Sequence, residues 1–172
     1  MNSKRWVLVF GACWLLALAG TARAESPRVG IMRFVGPGET DFRVMVTKII
    51  GGRGFGLVGS RALEEAAESA GKDLSSKEGI RAVGADLVLA AIIDGRIELE
   101  RGVASARIAV RDPRDGSIAA NELFSVRKGG ARALAKTIQK TFWNRIGPTL
   151  WEVTGYEGKP LPGARRARHR RS

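Results

Sequence analysis

The residue types that carry most enzyme chemistry are almost missing from this chain. Its single cysteine, Cys13, and single histidine, His169, lie near the two ends, so residues 25–157 contain neither. A serine or cysteine nucleophile needs a base beside it, most often histidine, and zinc needs His or Cys ligands at defined spacing. Two Ser-Lys pairs remain, Ser76 with Lys77 and Ser125 with Lys128, and neither sits in a recognisable motif. Asp94, Glu98 and Glu100 share the parity that places side chains on one face of a strand, which a glycosidase or a calcium site would use. Solvated edge charges explain them more simply. Asp112 and Asp115 read as turn formers around Pro113 and Arg114. The expectation is a chain with no catalytic residue, no cofactor and no metal site.

Two glycine-rich stretches resemble phosphate-binding loops by their letters. Gly54-Phe55-Gly56-Leu57-Val58-Gly59 has the spacing of a dinucleotide fingerprint, whose glycines belong between a strand and a helix. Here a helical pattern precedes them and Phe55 to Val58 itself reads as a strand, so a helix-to-strand connection is expected. Gly36-Pro37-Gly38-Glu39-Thr40 opens a helix, where anions are attracted. It lacks the Lys-Ser/Thr of a P-loop, and Glu39 and Asp41 would repel phosphate. A tight turn with Thr40 as cap is expected.

Charge points to the ends of the chain. There are 29 Lys and Arg against 17 Asp and Glu, a formal charge of +12, and Arg165, Arg166, Arg168, Arg170 and Arg171 crowd into the last eight residues. Residues 25–164 carry 21 basic against 17 acidic groups, so the basicity is assigned mostly to a tail over 158–172, expected to be disordered from its Pro, Gly and Arg content. Clustered arginines bind phosphate-rich or carboxylate-rich polymers. The expected partners of the tail are an anionic lipid or glycan surface, with specific nucleic-acid recognition excluded because no aromatics interleave for base stacking. A merely solubilising tail is the alternative.

At the other end, Lys4 and Arg5 precede an uncharged apolar run from Trp6 to Ala19, followed by Ala22-Arg23-Ala24. This is the pattern of a secretory signal peptide over residues 1–24, cleaved between Ala24 and Glu25. The run is 14 residues, whereas a spanning helix needs about 20. Lipidation at Cys13 is the minor alternative. The expected location is therefore periplasmic or secreted.

The elements that would position these residues follow from hydrophobic period. Arg28 to Phe34 is a β-rich run, and Phe42, Met45, Val46, Ile49 and Ile50 form one helical stripe. Phe55 to Val58 is a short strand. Ser60 is expected to cap a helix with Leu63, Ala66, Ala67 and Ala70 inside, and Ser75-Ser76-Lys77-Glu78 reads as a capping box ahead of Ile80 and Val83. Leu87 to Ile93 is a continuous apolar run, read as a central strand buried on both faces. Two alternating strands follow around the turn at 112–116, and Leu134, Ile138, Phe142 and Ile146 mark a last helix ended by Gly147-Pro148. Trp143 and Trp151 are expected as packing residues, and Trp151, Val153 and Tyr156 as a final extended segment. The fold class is α/β, with the order β-α-β-α-α-β-β-β-α, helices packed on a layered sheet, and an antiparallel meander of the last three strands. One domain is expected over 25–157.

In this order residues 28–147 resemble the amino-terminal domain of TolB and the related periplasmic domains of the CsgG and penicillin-binding-protein-activator type. The resemblance is carried by RVGIMRF with its glycine-rich turn, VGSRALEEA, DLSSKEGIRAVGADLVLAAIIDGRIE and RIAVRDPRDGSI. It implies a non-enzymatic envelope adaptor that binds a partner protein through an open sheet edge or a helix face. TolB continues into a β-propeller, and CsgG has pore-forming insertions and an acylated cysteine. These features have no match in the resembling residues, so neither family role is carried over. The alternatives are an envelope hydrolase or glycan-processing enzyme using Asp94, Glu98 or Glu100, and a basic nucleic-acid-binding protein with a misread leader.

Overall fold

Alternating and helical hydrophobic periods sort the chain into five strands and five helices around one sheet. The computed structural model describes residues 26–156. The expected leader with its Ala24-Glu25 cleavage point, and the expected tail with Arg165, Arg166, Arg168, Arg170 and Arg171, lie outside the described residues. The chain enters as β1 (Arg28–Ile31), turns into α1 (Glu39–Gly51), and returns as β2 (Gly56–Val58). Helices α2 (Ser60–Ser69) and α3 (Lys77–Asp86) lead to β3 (Ala91–Glu100), β4 (Val103–Arg111) and β5 (Ile118–Val126). The chain then closes with α4 (Gly130–Arg145) and α5 (Gly147–Thr154). The sheet order is β2-β1-β3-β4-β5, with β1 parallel to both β2 and β3 and the last three strands antiparallel. The α/β class and the terminal meander are as the periods predicted.

Period two decides which side chain goes to which face. Neighbours Ile92 and Ile93 are both fully buried yet belong to different cores. Ile93 and Ile97 join Ala106, Ile108, Phe124 and the inner faces of α1, α4 and α5 in the larger core. Ile92 joins Val58, Leu63 and Ala67 near α2 and Ile80 and Val83 of α3 in the smaller one. Each such aliphatic side chain contributes about 1.5–3 kcal/mol by leaving water, so the larger layer holds most of the stability. The turn after β1 is pinned to β3: the Ile97 N–H donates to the Val35 carbonyl at 2.7 Å, and Val35 N–H to the Gly95 carbonyl at 2.9 Å. Gly36, at φ 114, passes so close that a Cβ there would stand 2.0 Å from the Ile97 carbonyl oxygen. Only glycine fits that crossing.

Several local expectations are corrected. The segment expected to be extended after Gly147-Pro148 is α5 instead, because proline stands in its first turn, where its missing N–H costs nothing. The α1 cap is Gly38 rather than Thr40, and Gly59 rather than Ser60 precedes α2; Ser60 is buried and accepts a hydrogen bond from Arg43 at 2.9 Å. Ala70 is exposed just past the end of α2. In α3 the cap is Ser76, whose hydroxyl accepts from the Gly79 N–H at 3.0 Å, so glycine and not Glu78 occupies the third helical position. The apolar run Leu87 to Ile93 divides between a helix end, a turn at Val88, and β3 from Ala91 onward. Continuous apolarity could not reveal that division, since it carries no period.

Candidate functional site

The three carboxylates do share one face of β3, as their parity predicted, but arginines hold two of them. Asp94 is paired with Arg111 across the β3-β4 ladder, both largely shielded, and Glu98 is 3.2 Å from Arg96 on the same strand. Glu100 is exposed near the hairpin tip. Ser76 is committed to capping α3 and to the Asp73 carbonyl, to which its hydroxyl donates at 2.7 Å. Among the described residues no group of three or more His, Cys, Asp or Glu could hold a metal ion. The fingerprint-like glycines form the α1-β2 connection, then β2 itself, with Phe55 buried in the larger core. Asp112 and Asp115 make the turn as predicted, accepting from the N–H groups of Arg114 and Ser117 at 2.9 and 2.8 Å. The Arg114 side chain bonded to Asp112 holds its carboxyl below the usual range, and the Ser117 amide does the same for Asp115.

The structure leaves one half of the sheet bare on one side. Helices α2 and α3 cover β2, β1 and the start of β3, while the same face of β4, β5 and the rest of β3 has no helix over it among the described residues. The register sets the surface: Arg96 opposes Arg107, which opposes Leu123, and Glu98 opposes Ser105, which opposes Ser125. Leu123 is 48% exposed and Ile118, at the start of the strand, 50%. β5 is an outer strand of nine residues without Lys or Pro, guarded among the described residues by the Glu122 charge, a register irregularity at its start and the Arg145 side chain. Arg145 ties this strand to α4 by an ion pair with Glu122, a 2.9 Å hydrogen bond to the Leu123 carbonyl, and a stack 4.5 Å from the Phe124 ring centre.

A second surface went unnoticed in the overall charge count. Residues 123–151 contain six basic side chains and no acidic one, whereas the rest of 26–156 has 14 basic against 15 acidic. Only Arg145 of the six is in an ion pair; Arg127, Lys128, Arg132, Lys136 and Lys140 make none among the described residues and are exposed. The described body is therefore nearly neutral apart from α4 and its lead-in. The signal was legible as basic residues every four positions, but averaging over the body hid it. At the opposite end of α4, Trp143 stacks on Trp151 at 6.3 Å and on Phe55 at 6.4 Å, with Tyr156 edge-on to Phe55 at 5.0 Å. Both tryptophans pack against the larger core, as expected.

A third feature is a groove of about 570 Å³ between α3 and the β4-β5 turn, lined by Glu78, Arg81, Val88, Leu89, Pro113 and Arg114 among others. Its floor is a tight contact: a Cβ on Gly84 would lie 2.3 Å from Pro113 Cβ. Val88 stands at its rim, 74% exposed and held at φ 51.

No protein-family model matches the sequence, and no curated protein matches it at a significant level. Among solved structures the chain is similar to the lipoprotein GNA1162 from Neisseria meningitidis, with TM-score 0.50 and 12% identity over 69% of this chain and 95% of that one. The LpoB C-terminal domain from Salmonella enterica matches with TM-score 0.49 and 10% identity, covering 63% of this chain and 89% of that one. TolB from Acinetobacter baumannii matches with 0.45 and 14%, covering 72% of this chain and 29% of TolB. At 12% identity, what the chain shares with GNA1162 is the fold. These likenesses do not show the CsgG part of the expected resemblance.

Proposed function

We propose that this chain is a non-catalytic binding module of the bacterial cell envelope, which engages a partner protein through the bare face of the β3-β4-β5 meander and its β5 edge. The observation that carries the reading is the nine-residue outer strand whose outward face has no helix over it among the described residues, with half-exposed Leu123 opposite Arg107 and half-exposed Ile118 opposite Arg111. Exposed apolar side chains next to arginines suit a protein-binding patch, and the strand edge offers main-chain hydrogen bonds to an added strand beyond the Leu123 carbonyl, to which Arg145 already donates. The hydrolase alternative loses support from the Arg111 and Arg96 pairings, which occupy two of its three carboxylates. Export by the leader, cleavage between Ala24 and Glu25, and docking of the C-terminal arginines on an anionic lipid or glycan surface belong to the same proposal. The fold likeness to an envelope lipoprotein is consistent with that compartment.

A photo-crosslinking side chain placed at Leu123 or Ser125, with a control at Glu68 on α2, tests the surface in cells. One recurring envelope partner captured from the meander positions and not from Glu68 is the expected result. Equal capture from all three, or a chain whose intact mass does not begin at Glu25, would overturn the surface or the compartment respectively.

A further inference from the structure

We propose that α4 is an electrostatic docking element for an anionic lipid surface, separate from the C-terminal arginines and from the meander face. Arg132, Lys136 and Lys140 recur every four residues, which stacks them on one line of the helix about 12 Å long. All three are exposed, while Leu134, Ile138 and Phe142 on the inner line are fully buried. Arg127 and Lys128 extend the row into the lead-in, and none of the five makes an ion pair among the described residues.

This arrangement works against the helix that carries it. Like charges four residues apart repel. Lys128 and Arg132 also sit at the N-terminal end, where the macrodipole favours anions. The first turn of α4 has no acidic residue, and its cap, Gly129, offers no side chain. α1 and α3 begin with acids, and in α2, whose first turn also lacks an acid, Arg61 is neutralised by Glu65 four residues on, whereas the α4 row makes no ion pair among the described residues. An anionic surface laid along α4 would relieve both repulsions at once.

The surroundings of α4 favour a plane over a groove. The helix packs on β4 and β5 and against α1 and α5, so it lies within its layer and does not project as a helix entering a major groove must. Its exposed row has no aromatic for stacking on bases, and Trp143 is engaged with Trp151 and Phe55. None of the exposed large apolar side chains is on α4, so it would rest on headgroups without inserting. Lysine ammonium groups act as flexible point charges, matched to headgroups that move laterally.

The test is co-sedimentation of the full chain with vesicles of phosphatidylglycerol and phosphatidylcholine, against vesicles of phosphatidylcholine alone. Four further chains are compared: Arg132→Gln with Lys136→Gln and Lys140→Gln, the charge-conserving set Arg132→Lys with Lys136→Arg and Lys140→Arg, a chain ending at residue 163, and that shortened chain with the triple glutamine change. Each cation removed should weaken binding about fivefold, so about a hundredfold for the triple glutamine chain. The charge-conserving chain should bind as the parent does, and raised salt should erase the difference. The same loss should appear when the triple change is made in the tail-less chain. Undiminished binding by the triple glutamine chain would overturn the proposal and leave the tail as the docking element. So would a parent chain that ignores phosphatidylglycerol yet holds a nucleic acid through the same three residues. Crosslinking at Leu123 reads the meander independently of either outcome.

Discussion

Val88 is the residue whose conformation the sequence least foretells. A β-branched side chain in the left-handed region costs about 1–2 kcal/mol, and this one gains little back, being 74% exposed. Glycine at that position would remove the strain and add about 0.5–1 kcal/mol of lost backbone freedom. Val88→Gly is therefore expected to leave stability unchanged or raise it by up to about 1 kcal/mol, read as a shift in urea midpoint at constant slope. A loss beyond that would mean that the valine side chain holds the α3-to-β3 turn in place. The carboxylates teach the complementary lesson. Their shared face followed from strand parity, but that Asp94 faces Arg111 depends on a register between strands that parity along one strand does not contain.

At the scale of elements, the α4-β5 seam joins the two surfaces proposed to act. Arg145 spends one side chain on Glu122, on the Leu123 carbonyl and on the Phe124 ring. The pair is partly exposed, at 39% and 31%, so its ionic share is discounted to about 0.5–1 kcal/mol, with a similar contribution from the ring contact. Arg145→Ala should cost about 1–2 kcal/mol in thermal or urea unfolding and loosen β5, raising hydrogen exchange at Glu122 to Phe124 above that of β4. Unchanged exchange there would show that Phe124, fully buried, anchors the strand without help. The helix pair α4 and α5 shows why local signals mislead at boundaries. Gly147-Pro148 ends one helix and begins the next, since proline cannot continue a helix but fits its first turn.

The whole molecule is a sheet between unequal layers. The larger core binds α1, α4 and α5 to four strands, whereas α2 and α3 rest on a smaller set of residues around Ile92, Leu63 and Ile80. Local stability follows buried apolar contact, so α2 and α3 should open before the rest. Hydrogen exchange under native conditions is expected to show amides of Leu63 to Ala67 and of Val83 exchanging by a lower-energy opening than those of Ile138 and Ile108. Equal protection in both layers would mean that the sheet and all five helices unfold as one unit. The charge distribution belongs to this scale too: a body balanced elsewhere carries its excess on one helix of the thicker layer, away from the bare meander face.

Read alone, the sequence determined the class of fold, the strand and helix order up to α4, the meander and its turn, and the poverty in catalytic residue types. These depend on period, turn chemistry and composition, which are local properties of a chain. Tertiary structure decided which charges meet and which half of the sheet stays bare. Those outcomes depend on register and on the packing of distant elements, as when Arg111 reaches Asp94 across a ladder or α4 lays its buried line on β4 and β5. Neither relation is encoded within a single helical turn or strand repeat. The strained turn at Val88 has the same origin, because it is the tie between Leu89 in the smaller core and the end of α3 that sets the backbone there.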